Sequence, residues 1–206
     1  MISNTPGELG RISRNKGRIK GAAIRDFVAW HIETFGPAPL ERAIRNLPVQ
    51  AQEEFDLSAP CFGVLPSVWL PGNIAHHVLD ELLDGLTVSQ VDELALGGAE
   101  ATVRGMLSGA QRIVFSVMTP KLYAKVANMA FRLNYDEGRV VNEELDRRRH
   151  RGSVEDWTSH HAFLCQMNVH IKAAVYRAMG CQQVEIEERF CKSKGDGACG
   201  SIIRWQ

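Results

Sequence analysis

The 206-residue chain carries no net charge, with 24 basic residues set against 24 acidic ones. That balance removes the global field that would draw it to nucleic acid or an anionic membrane surface. Long hydrophobic runs are missing too: a stretch such as Ile113-Val114-Phe115 is far short of a membrane span. Met1-Ile2-Ser3-Asn4 puts no apolar segment ahead of the first basic residues, so a secretory leader is not expected. Cysteine is sparse, at five residues. Without a leader, this number points to thiols in a reducing compartment rather than to a disulfide framework, and a cytoplasmic location is expected. No Walker loop, no G-x-G-x-x-G and no H-E-x-x-H occurs.

Apolar residues make up 45% of the chain, enough for a real core. Residues 1–20 read as a basic polar arm, with Arg11, Arg14, Lys16, Arg18 and Lys20. Residues 21–109 read as a helical portion. Ile24, Phe27, Val28, Trp30, Ile32 and Phe35 recur at helical spacing up to Gly36-Pro37. Short helices are expected over 40–46 and 49–55, and longer ones over 73–86 and 88–107. Three prolines between residues 59 and 72 make that stretch irregular. Residues 110–206 form the third portion, one unit with the second. A helix starts at Pro120, and a strand-like segment covers 135–145. Ser153 reads as the N-cap of a long helix running to Gly180, followed by a strand over 184–190, a Gly-rich turn and a returning strand over 201–205. The fold class is α+β: helical first, then an antiparallel sheet with a long packing helix and a C-terminal hairpin.

The chemistry concentrates in the last forty residues. Cys191 and Cys199 flank a turn containing Gly195 and Gly197, which brings two thiolates to one edge. Geometry selects the third ligand. Cys165 and Cys181 stand sixteen residues apart on the long helix, roughly 24 Å at ~1.5 Å per residue, so they cannot share an ion. The strand after Cys181 travels back about 23 Å at ~3.3 Å per residue, which brings Cys191 level with Cys165. A structural zinc held by Cys165, Cys191 and Cys199 follows. For the fourth position, Glu188 shares strand register with Val184, Ile186 and Phe190, so its carboxylate would face the apolar side and need a cation. His161, one helical turn before Cys165, is the rival. Glu188 and Cys191 have opposite strand parity, which requires a bulge or a strand end between them.

At these residues the chain is similar to the 4-vinyl reductase domain family. That family includes the sensor domains of bacterial aromatic-responsive transcription activators, and resembles heme nitric-oxide-binding domains and TRAPP trafficking subunits in fold. Its zinc pattern, a helix cysteine, a glutamate and two cysteines around a Gly-rich turn, maps here onto Cys165, Glu188, Cys191 and Cys199. Ile202-Ile203-Arg204-Trp205 resembles the family's last strand. The upstream half, with Lys16-Gly17-Arg18-Ile19-Lys20-Gly21 and Trp69-Leu70-Pro71, resembles an uncharacterised bacterial family. The resemblance implies a fold and a metal site and leaves the activity open.

The expected function is a non-enzymatic, zinc-stabilised module that binds or senses a small apolar or aromatic ligand. Trp69, Trp157, Phe163 and Met167 are the expected ligand-binding residues. The alternative is a homodimeric or partner-binding scaffold of the TRAPP-like type, and an enzyme related to vinyl reduction ranks third. No nicotinamide, flavin or heme motif is recognisable. Ser159-His160-His161 and His76-His77 read as surface or capping residues, because neighbours on a helix do not align for catalysis, and the basic run Arg147–Arg151 reads as a solvated hairpin tip with no aromatic platform for nucleic acid.

Overall fold

A computed structural model describes residues 17–107, 113, 115 and 117–206. The basic arm up to Lys16 and the expected boundary at 109/110 lie outside the described residues.

The chain opens with strand β1 (Arg18–Lys20), which pairs antiparallel with β2 (Trp69–Pro71). Ile19 is fully buried between them, so these three residues are strand rather than arm. Helix α1 (Gly21–Phe35) ends at Gly36, whose φ of 79° is open to glycine and costly for other residues. Helices α2 (Ala38–Arg45) and α3 (Val49–Gln52) follow, then a 3₁₀ turn at Pro60–Gly63 in the proline-rich stretch. Helix α4 spans Gly72–Leu83. Helix α5 (Val88–Met106) begins with a capping box, in which Thr87 and Gln90 exchange side-chain and backbone hydrogen bonds. A Cβ on Gly97 would meet the Trp30 ring at 2.3 Å, and one on Gly98 the Phe27 ring at 2.5 Å. Those two glycines therefore let α1 close onto α5.

Helix α6 (Pro120–Arg132) is capped by the Thr119 hydroxyl and packs on the edge strand β3 (Arg139–Asp146). A hairpin leads to β4 (Arg149–Glu155). Ser153 is therefore a mid-strand residue paired with Val141 and Gly200, and not a helix cap. Helix α7 starts later, at Ala162, and runs to Ala178 with His161 as its N-cap. Strands β5 (Glu185–Phe190) and β6 (Cys199–Arg204) complete a four-stranded antiparallel sheet of order β3-β4-β6-β5. Helix α7 packs on α5 and on the β5–β6 half of the sheet. The architecture is thus α+β, helices first and an antiparallel sheet with a terminal hairpin after. No helix among the described residues is long and apolar enough to cross a membrane.

Candidate metal centre and adjoining cavity

Cys165 lies in the first turn of α7, Cys191 follows β5 and Cys199 opens β6. The Cys165 sulfur reaches to 4.0 Å from the Phe190 carbonyl, so helix and strand run level as the spacing requires. Cys191 and Cys199 sulfurs are 3.7 Å apart. The fourth side chain is His160, whose Nε2 lies 3.3 Å from the Cys191 sulfur. All four donor atoms fall within 4.8 Å of one another. Four donors of this kind within that distance could hold a metal ion; a tetrahedral zinc with bonds of about 2.0–2.3 Å would draw them to ~3.5–3.8 Å.

The turn between the two cysteines is pinned by its own hydrogen bonds. Cys191 N–H donates to Asp196 Oδ2 at 2.7 Å, and Lys192 N–H donates to the Cys199 sulfur at 3.4 Å. Gly195 takes a φ of 93°, which closes the turn. Two of the thiols, Cys165 and Cys199, titrate as a pair. Cys165, then His160, push Cys199 down against the effect of burial, while Cys199 and burial push Cys165 up. His160 is pushed up, chiefly by Cys199. Negative charge is thus favoured at Cys199, the thiolate that a divalent cation would bind as it displaces the remaining protons.

Glu188 is not in this cluster. The register slips between Ile186 and Glu188, leaving Glu187 as a bulge. Ile186 pairs with the buried Ile203, but Glu188 pairs with Ile202 and is solvent-exposed. The same slip puts Arg189 on the α7 side, where it donates to Asp92 at 2.9 Å. Burial would raise the Asp92 carboxyl, yet hydrogen bonds from Arg189, Gln166 and His170 outweigh it and hold the carboxyl at about 2. Cys191 then follows on the inward side. His161 is also elsewhere: Nε2 is 3.1 Å from Asp80 Oδ1, and Nδ1 accepts from Phe163 N–H. Cys181 belongs to a second core with Tyr176, Val184, Ile203 and Trp205. His160 escaped the sequence reading because the helix was begun at Ser153. With the helix starting at Ala162, His160 lies in a loop whose Trp157 and Ser159 turn inward, joined by an indole N–H to hydroxyl bond of 2.9 Å. The Trp157 ring meets the His160 ring edge-on at 5.6 Å and fixes its plane.

Beside the cluster lies a partly open cavity of about 150 Å³, lined by residues of α1, α5, α6, α7 and strands β3, β4 and β6. Cys165 and Cys199 form part of its wall, with Trp157, Met167, Tyr135 and Phe131. Of the expected ligand-binding residues, Trp157 and Met167 therefore line it. Phe163 lines a smaller void of about 50 Å³ on the other side of Met167. Trp69 lines neither: it is partly exposed on β2, under the Arg18 and Lys20 cations. The cavity's polar wall, Asn168, Lys172 and Ser201, was not singled out from sequence. Asn168 and Lys172 lie one turn apart on α7, a spacing that could have flagged them.

Among known proteins, the matching solved structures share the fold of H-NOX domains. The Fe(II) unliganded H-NOX protein from K. algicida superposes with a TM-score of 0.66 at 12% identity, over 91% of this chain and 97% of that one. The H-NOX protein from S. oneidensis in the Fe(II)NO ligation state gives 0.59 at 10% identity, over 91% and 99%. An oxygen-binding H-NOX domain related to soluble guanylate cyclases gives 0.54 at 10% identity, over 91% and 95%. At such identities the likeness is one of fold. No protein-family model matches the chain, and no curated protein matches it.

Proposed function

We propose that the chain is a non-enzymatic binding module in which a structural zinc, held by His160, Cys165, Cys191 and Cys199, braces a cavity for one single-ring ligand. The observation that carries this reading is the shared wall: Cys165 and Cys199 belong both to the metal cluster and to the cavity. Four protein donors close a zinc shell and leave no position for a catalytic water, so the metal's task is to fix the helix against the hairpin. A mostly apolar cavity of about 150 Å³ accepts a benzene-sized guest. The cysteine spacing supports kinship with the 4-vinyl reductase family, although His160 takes the place of that family's glutamate.

Heme, the group of the H-NOX neighbours, does not fit. Among the described residues no histidine lines the cavity, and its volume is below the roughly 300–1,000 Å³ of pockets for ligands smaller than a porphyrin.

The test is a thermal-shift series on zinc-loaded protein with toluene, phenol and benzyl alcohol. Binding should raise the melting temperature through linkage, and removing the metal with a chelator should lower both stability and ligand response. A flat series with intact zinc would contradict the cavity reading. A second reading, the homodimeric scaffold, is supported by Leu122, Met129 and Leu133, which expose 46%, 64% and 60% of their surface along α6. Sedimentation at micromolar concentration decides it: a monomer would sink the scaffold.

A further inference from the structure

Among the cavity's polar groups, Lys172, Asn168 and Ser201 offer donors, and Asn142 on the facing strand offers its Oδ1. Lys172 projects from α7 with its ammonium 3.4 Å from the Ser201 carbonyl, a long contact. Space for it comes from Gly152 across the sheet: a Cβ there would lie 2.5 Å from the Lys172 nitrogen and 2.7 Å from Asn142 Oδ1. Among the described residues Lys172 has no ion pair. Two further groups of this wall lack partners. The Ser201 hydroxyl, on a residue only 1% exposed, has no hydrogen bond, and neither has the buried Nδ2 of Asn168. The Tyr135 hydroxyl is the polar group beside the Asn168 amide, and the contact is too weak to give Nδ2 a well-formed hydrogen bond.

A cation, an amide N–H₂ and a hydroxyl around one void, with no carboxylate to receive them, are complementary to an anion with two acceptor oxygens. The remaining wall is apolar, with Phe131, Val140, Val154, Trp157 and Met167. Resting on the cavity reading above, we infer that the ligand is a small aryl carboxylate of benzoate size, its carboxylate bound by Lys172 with Asn168 and Ser201 and its ring against Trp157 and Met167. A neutral ring compound would fill the apolar end and leave the donors unmatched, which a buried site penalises. The apolar walls exclude water from the ion pair and strengthen it. Burial already pushes Lys172 down to about 8, consistent with an ammonium that lacks its counter-ion.

The test is calorimetric titration of the full-length, zinc-loaded protein at pH 7 with benzoate, benzyl alcohol and toluene. Benzoate should bind on the order of tenfold or more tightly than benzyl alcohol, the scale of one charge-assisted contact. Lys172→Met should lose that advantage while binding toluene at least as well as before. In the wild type, nuclear Overhauser contacts should link benzoate ring protons to Trp157, and the Lys172 ε-methylene should shift on benzoate addition; these readouts stand if the variant does not fold. Benzyl alcohol or toluene binding as tightly as benzoate, or Lys172→Met keeping full benzoate affinity, overturns the anion inference and leaves the cavity reading standing. Silence from all three probes overturns both.

Discussion

Lys172 is a buried cation whose desolvation costs stability. Its pKa falls from 10.5 to about 8 because burial disfavours the ammonium. Between those two values the unfolded chain binds the extra proton, so stability rises with pH across this window, and below about pH 8 the penalty is present in full. Lys172→Met should therefore stabilise the protein at pH 7 by up to ~3 kcal/mol, with the gain vanishing above about pH 10.5. Denaturant titrations of both forms at pH 7 and 10.5 check it, and an equal difference at both would refute the burial account. The second residue-scale prediction concerns the metal. His160→Ala, Cys165→Ser, Cys191→Ser and Cys199→Ser should each lose most of the zinc and several kcal/mol of stability, because binding and folding are linked. Glu188→Gln and His161→Ala should keep one equivalent by elemental analysis.

At the scale of elements, the three cysteines were legible because helix rise and strand rise are fixed lengths, which bring residue 191 back level with 165 whatever the surrounding sequence. The fourth side chain of the cluster was not legible, for two local reasons. One is the Glu187 bulge, which turns Glu188 outward and leaves no trace in an alternating pattern. The other is β4, whose inward residues His150 and Gly152 hide its period of two behind two arginines and a glycine. The well-placed Ser153 then mimicked a helix start. The close approach of β4 and β6 is itself testable. A Cβ on Gly200 would lie 2.0 Å from the Gly152 carbonyl and 2.9 Å from the Phe190 ring. Backbone cannot yield as a flexible side chain can. Gly200→Ala should cost roughly 2–4 kcal/mol and loosen the hairpin that carries Cys199, to be read as a lower denaturation midpoint and weaker zinc retention.

For the whole molecule, the sequence conveyed the order of layers, helices first and sheet after, since hydrophobic periodicity switches from helical to alternating along the chain. What it could not convey was the void, because a cavity is the volume that side chains from several elements fail to fill. Trp157 and Met167 reach it, whereas Trp69 lies on the separate β1–β2 ribbon. One proposed device would join these features: a metal tying α7 to the β5–β6 hairpin beside the cavity. Zinc-edge X-ray absorption of the purified protein tests that device most directly. The account predicts about three sulfurs at ~2.3 Å and one nitrogen at ~2.0 Å, with the multiple scattering of an imidazole that disappears in His160→Ala. A shell of three sulfurs and a carboxylate oxygen without imidazole scattering, or protein that takes up no zinc, would contradict it.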